Sequence, residues 1–122
     1  MKRILIVTGG LLSLLGMGFL TSCETTTDPP QTNEVVDCSV TTPTYDAEIR
    51  SIVQGNCATP GCHVAGFSAG DFSNFEGIKA VANSGSLRAN VVTSRAMPPG
   101  RPLSQDDIDQ IDCWIQNGAP EN

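Results

Sequence analysis

The chain has 122 residues, 39% hydrophobic but only 5% aromatic, with 7 basic and 13 acidic side chains and a formal charge of −6. That balance excludes a nucleic-acid binder, which needs lysine and arginine against phosphate, and the length holds one small domain. So few aromatics give a marginal core, so a cross-link or a prosthetic group is expected to help hold the fold.

Taken from the N-terminus, Met1-Lys2-Arg3 is a short basic start before an apolar run from Ile4 to Leu20, broken only by Thr8, Ser13 and glycines. These are signal-peptide proportions, although the run also approaches the shortest membrane-spanning helix. Leu20-Thr21-Ser22-Cys23 resembles the bacterial lipobox, in which the cysteine takes lipid and becomes the new first residue. Residues 1–22 are therefore expected to be a lipoprotein signal peptide and Cys23 the lipidation site, a plain secretory signal or a retained helix being the alternatives. The expected location is the cell envelope, in the periplasm or at the outer membrane. Glu24, standing where an aspartate would resemble an inner-membrane retention signal, leans towards the outer membrane.

Loss of Lys2 and Arg3 would take the 7 basic side chains to 5 against 13 acidic ones, a formal −8 in place of −6. Such a surface suits a basic redox partner, with plain solubility as its other use. From Cys23 to about Pro43 the chain is rich in Thr, Pro, Gln and Asp without apolar periodicity, and reads as a flexible lipid-anchored tether. Residues 44–122 remain as the folded domain.

No stretch alternates at period two for long, so the expected class is all-α, with three to four helices and long loops. Thr44 is placed to cap a helix running to about Gln54, with Asp46 and Glu48 near its positive end and Ile49, Ile52 and Val53 on one face. Ser73-Asn74-Phe75-Glu76 matches a capping box opening a helix that buries Ile78, Val81 and Ala82. A short turn is expected between Leu87 and Val92. Ser104 begins the last helix, whose stripe is Ile108, Ile111, Trp114 and Ile115, stopping at Gly118. Trp114 reads as core. The run Asp106, Asp107, Asp109 and Asp112 reads as helix capping and solubility rather than a metal site.

The chemistry concentrates in Cys57-Ala58-Thr59-Pro60-Gly61-Cys62-His63. Two thiols on one loop can form thioethers to the two vinyl groups of a haem, and a histidine directly after the second thiol can donate its imidazole nitrogen to the iron. Four residues separate the cysteines where two are usual, and Pro60-Gly61 would let the extra residues bulge without drawing the thiols apart. A second axial ligand is expected from Met97, the one methionine left after signal removal, in Ala96-Met97-Pro98-Pro99-Gly100. His63 is the only histidine, which rules out bis-histidine ligation within one chain. A His63/Met97 pair favours ferrous iron and raises the potential.

The order of these features, ending in Ile111-x-x-Trp114-Ile115-x-x-Gly118-Ala119, resembles the small class I cytochrome c domains, particularly the cytochrome c-like haem-binding domains of exported Bacteroidetes and planctomycete proteins. The resemblance covers about Thr44 to Asn122. It implies packing of the first helix against the last, one covalent haem c held by Cys57 and Cys62, His63/Met97 axial ligation, and electron carriage by a monomer rather than enzymatic catalysis. If the terminal helices cross as in that family, Cys38 and Cys113 would be joined by a disulfide, two free buried thiols being the alternative.

Plainer readings stand beside these. A disulfide between Cys57 and Cys62 is the plainer use of the two thiols in an exported protein. A zinc site could draw on Cys57, Cys62 and His63 with Cys38 or Cys113. Met97 could be a gap-filling methionine, and Arg95 and Arg101, which bracket it, could be solvated charge rather than propionate partners. At the level of function the rivals are a haem enzyme or sensor with an open iron position, of peroxidase type, and a lipoprotein without haem.

Overall fold

A computed structural model describes residues 35–122. The expected signal peptide, the expected lipidation site Cys23 and most of the expected tether lie outside the described residues. Within them the elements run as a π-wound segment Tyr45–Ile49 leading into α1 (Arg50–Asn56), then α2 (Phe75–Asn83), a second π-wound segment Arg88–Thr93, and α3 (Gln105–Gln116). No strand occurs among the described residues, and the class is all-α. None of these helices is long and apolar enough to cross a membrane.

Thr44 caps the first helix. Its backbone is extended, and its hydroxyl accepts the Ala47 N–H at 3.3 Å. The Glu48 carboxylate reaches back to accept the Thr44 N–H at 2.9 Å, one residue later than in a standard capping box, in keeping with the wider first turn. Ile49, Ile52 and Val53 are buried as their spacing requires, and the helix runs two residues past the expected Gln54, to Asn56.

α2 starts one residue later than the capping-box reading places it. Asn74, not Ser73, is the cap, its side chain accepting the Gly77 N–H at 2.9 Å. Ser73 is taken by Asp71, whose carboxylate accepts both its N–H and its hydroxyl. Ile78 and Ala82 are buried, and Val81 is half-buried at the wall of a cavity described below. In the second π-wound segment Val91 points inward, as does Leu87 just before it.

α3 follows its sequence closely. Ser104 accepts the Asp107 N–H at 3.1 Å, and Ile108, Ile111 and Trp114 are buried with Cys113. Trp114 is fully enclosed, and its indole N–H donates to the Pro120 carbonyl at 2.8 Å, which satisfies its one polar atom. Beyond the helix the chain folds back, and the Pro120 and Glu121 carbonyls accept the Tyr45 and Asp46 N–H groups at 3.0 and 2.9 Å. These bonds close the first helical turn onto the C-terminal tail, so the first and last helical regions pack together around Tyr45, Ile49, Ile111 and Trp114.

Cys38 and Cys113 form a disulfide, closing a loop of sequence separation 75. The Asn117 amide donates to the Cys38 and Thr41 carbonyls at 3.3 and 3.2 Å, and Pro43 is buried. The segment from Cys38 to Pro43, read from composition as the end of a flexible tether, is thus fastened to α3. A covalent bond to a buried residue supplies the order that apolar periodicity does not.

Candidate functional site

The stretch after α1 is built from turns. The Cys57 and Ala58 N–H groups both donate to the Val53 carbonyl at 2.8 Å, ending the helix. Thr59-Pro60-Gly61-Cys62 then makes a tight turn, closed by the Cys62 N–H on the Thr59 carbonyl at 2.9 Å. Pro60 suits its second position, and Gly61, at φ +86°, supplies the left-handed backbone its third position requires. The extra residues between the cysteines are absorbed in this turn. The His63 N–H returns to the Cys57 carbonyl at 3.0 Å and closes the motif on itself.

The His63 ring is fixed on three sides. Its Nδ1 lies 3.3 Å from the Gly70 carbonyl oxygen, which can only accept, so the bond requires the Nδ1–H tautomer. Among the described residues Nε2 then has no partner. Phe72 stacks on the imidazole with ring centres 3.9 Å apart and planes 4° from parallel. Phe67 meets it edge-on at 5.0 Å. A metal-binding imidazole commonly donates its other N–H to a backbone carbonyl in this way.

Met97 lies in a loop whose ends are tied down. Its N–H donates to the Asn90 carbonyl at 3.2 Å, at the second π-wound segment. Arg95 donates to the Gln105 side chain at 2.6 Å, and Arg101 to the Gly55 carbonyl at 3.2 Å, at the end of α1. Both arginines therefore anchor the methionine loop to neighbouring helices, and neither lines the cavity beside it.

That cavity has a volume of about 500 Å³, and Cys57, Cys62, His63 and Met97 all stand on its wall. The volume falls inside the about 300–1,000 Å³ usual for small-molecule and cofactor sites. The rest of the lining is largely apolar, with Phe67, Phe72, Val81, Leu87 and Val91 contributing, and no charged side chain takes part. A motif at residues 57–63 and a methionine forty positions after its first cysteine are thus brought to one surface. Sequence reasoning missed Phe67, Gly70 and Phe72. Their one signal was the placing of two of the chain's four phenylalanines within ten residues of the motif.

Cys57 and Cys62 are both free thiols rather than a pair. Burial pushes the Cys57 thiol up to about 11, and the neighbouring Cys62 adds to the rise. A thiol held protonated at neutral pH is a poor thiolate nucleophile. The four-ligand zinc set does not assemble, because Cys38 and Cys113 are consumed in their disulfide and, among the described residues, no group of three or more His, Cys, Asp or Glu gathers for a metal.

Two thiols, an imidazole with one nitrogen committed and a thioether, all facing an apolar space, are the donor set a covalently attached iron porphyrin requires. Comparison of the chain with protein-family models, curated proteins and solved structures finds no match.

Proposed function

We propose that the chain is a mono-haem c-type cytochrome that carries electrons in the cell envelope. The observation that carries this reading is the meeting of Cys57, Cys62, His63 and Met97 on one apolar cavity wall. Cys57 and Cys62 would hold the group through thioethers, and His63 through Nε2 and Met97 through its sulfur would be the residues that ligate its iron. When bound, haem supplies a one-electron ferric–ferrous couple.

The chain's own residues do the rest. Gly70 holds the Nδ1 proton of His63, which fixes the tautomer and makes Nε2 the donor. The apolar lining would limit water at the iron and so tune the couple, since burial and second-shell hydrogen bonds set a haem potential. Arg95 and Arg101 hold the loop that presents Met97, which lowers the ordering needed at ligation. With His63 and Met97 both committed to the iron, no place would remain there for a substrate, and the role would be electron carriage. A redox partner meets the cavity mouth, where Phe67 and Met97 are each 42% exposed. The chain's negative charge would draw a basic partner, and no carboxylate is among the side chains that line the cavity itself.

Expression of the full chain in a host that attaches haem c tests this. The expected product is red, carries one covalent haem, and shows in its ferric form the weak charge-transfer band at the red end of the spectrum that accompanies thioether ligation. Met97→Ala should abolish that band and leave the haem attached. Cys57→Ser and Cys62→Ser should each lose one thioether. A colourless, folded wild-type protein would refute the proposal.

The exposure of Met97 favours one alternative, an iron site whose sixth ligand is displaced by a small molecule. Such a haem enzyme or sensor would lack the red-end band in the wild type as well.

A further inference from the structure

Beyond the four residues that hold the group, we propose that Phe72 is a positioning residue, setting the plane of the His63 imidazole; the role rests on the haem reading above. The two rings lie 3.9 Å apart and 4° from parallel, closer than the about 4.5–7 Å at which aromatic pairs usually settle. The backbone imposes this closeness, since the Phe72 N–H donates to the His63 carbonyl at 2.9 Å and draws the two residues together.

Gly70 completes the arrangement. Its carbonyl receives the Nδ1 proton, while a Cβ at this position would stand 2.9 Å from Cε1 of Phe72. Gly70 also sits at φ +112°, a backbone conformation that side chains disfavour. One glycine thus serves both contacts, accepting from the imidazole and making room for the ring stacked on it.

The hydrogen bond fixes the tautomer and one point of the imidazole but leaves the ring free to rock about the line from Gly70. The parallel stack removes that freedom, and edge-on Phe67 limits it further. An imidazole of fixed azimuth matters to a low-spin ferric haem because the ring plane determines how the iron's two π-bonding d orbitals split. The magnetic anisotropy, and the distribution of unpaired spin over the macrocycle, follow that plane. Phe72 also stands on the cavity wall, but the positioning role runs through His63, the ring it stacks on.

The test compares the haem-loaded full chain as wild type, Phe72→Leu and Phe72→Tyr. Phe72→Leu is expected to keep its covalent haem and its red-end band, but to change the spread of ferric g-values and of the four haem-methyl proton resonances. Phe72→Tyr, which keeps the flat ring, should restore both. A Phe72→Leu protein with wild-type spectra overturns the positioning role and leaves the haem reading intact. A wild type without covalent haem sinks both together. Should Phe72→Leu fail to fold, the ferrous wild type decides. The imidazole protons of its single histidine must show nuclear Overhauser contacts with the Phe72 ring, and their absence overturns the role.

Discussion

The first helix and α3 are packed through buried side chains, with a covalent bond tying the segment before them to α3, whereas the chemical groups of the cavity stand on two loops that single hydrogen bonds hold. In the first region Tyr45, Ile49, Ile111 and Trp114 are almost wholly enclosed, and Cys38–Cys113 locks the entry of the domain to its last helix. In the second, Phe67 and Met97 remain well exposed, and the geometry depends on single contacts such as Cys57 to His63, His63 to Gly70 and Asn90 to Met97. The difference separates stability from chemistry. Substitutions around α3 should move the unfolding transition with little effect on ligation, and substitutions around the cavity should do the reverse.

Trp114→Ala is the hardest blow to that contrast. The indole is fully buried and its N–H is satisfied, so its loss leaves a large void and should lower stability by about 3–5 kcal/mol. Chemical denaturation would measure this, and an unchanged midpoint would show that α3 is not the mechanical centre of the domain. Next comes the disulfide. Cys38→Ser with Cys113→Ser should remove about 2–4 kcal/mol, against an upper limit of about 4–5 kcal/mol from chain entropy for so long a loop. The segment from Cys38 to Pro43 should then gain faster amide hydrogen exchange, since the Asn117 contacts and the burial of Pro43 would be left to hold it.

Ser104→Ala should cost about 1 kcal/mol through the lost helix cap, read as a small drop in melting temperature with no spectral change at the cavity. The smallest effect is at Asp71. Hydrogen bonds from the Ser73 hydroxyl and N–H hold its carboxyl below the ordinary 3.8. A carboxylate with a depressed folded-state value stabilises the fold above its unfolded value, and that contribution is lost as acid protonates the folded form. Wild type and Asp71→Asn should therefore differ by a small, constant amount near neutral pH and converge below about pH 4. Parallel curves down to strong acid would show that the turn before α2 does not depend on this charge.

The same contrast explains what the sequence made legible. α3 could be read almost residue by residue, because its Ser104 cap, its apolar stripe and its stop are all local signals. The motif from Cys57 to His63 and the loop at Met97 were equally visible, since their chemistry lies in residue types and spacing. Nothing local marked the π-wound turns, because a bond reaching five residues back and one reaching four give nearly the same apolar pattern over a single turn. Ser73 and Asn74 are both good caps, and the choice fell to Asp71, two residues upstream, which occupies Ser73. The order of Cys38–Pro43 comes from a partner 75 residues away, and the orientation of His63 from residues whose role appears only when the loop closes. Composition and periodicity report neither.

Intact mass of the mature protein from its own cells, with and without reducing agent, tests the central claim most directly. The expected result is a chain beginning at a lipidated Cys23, heavier by one haem that survives denaturation, and gaining two hydrogens on reduction of Cys38–Cys113. A mass accounted for by polypeptide and lipid alone would contradict it, for Cys57, Cys62, His63 and Met97 would then line a cavity that holds no haem.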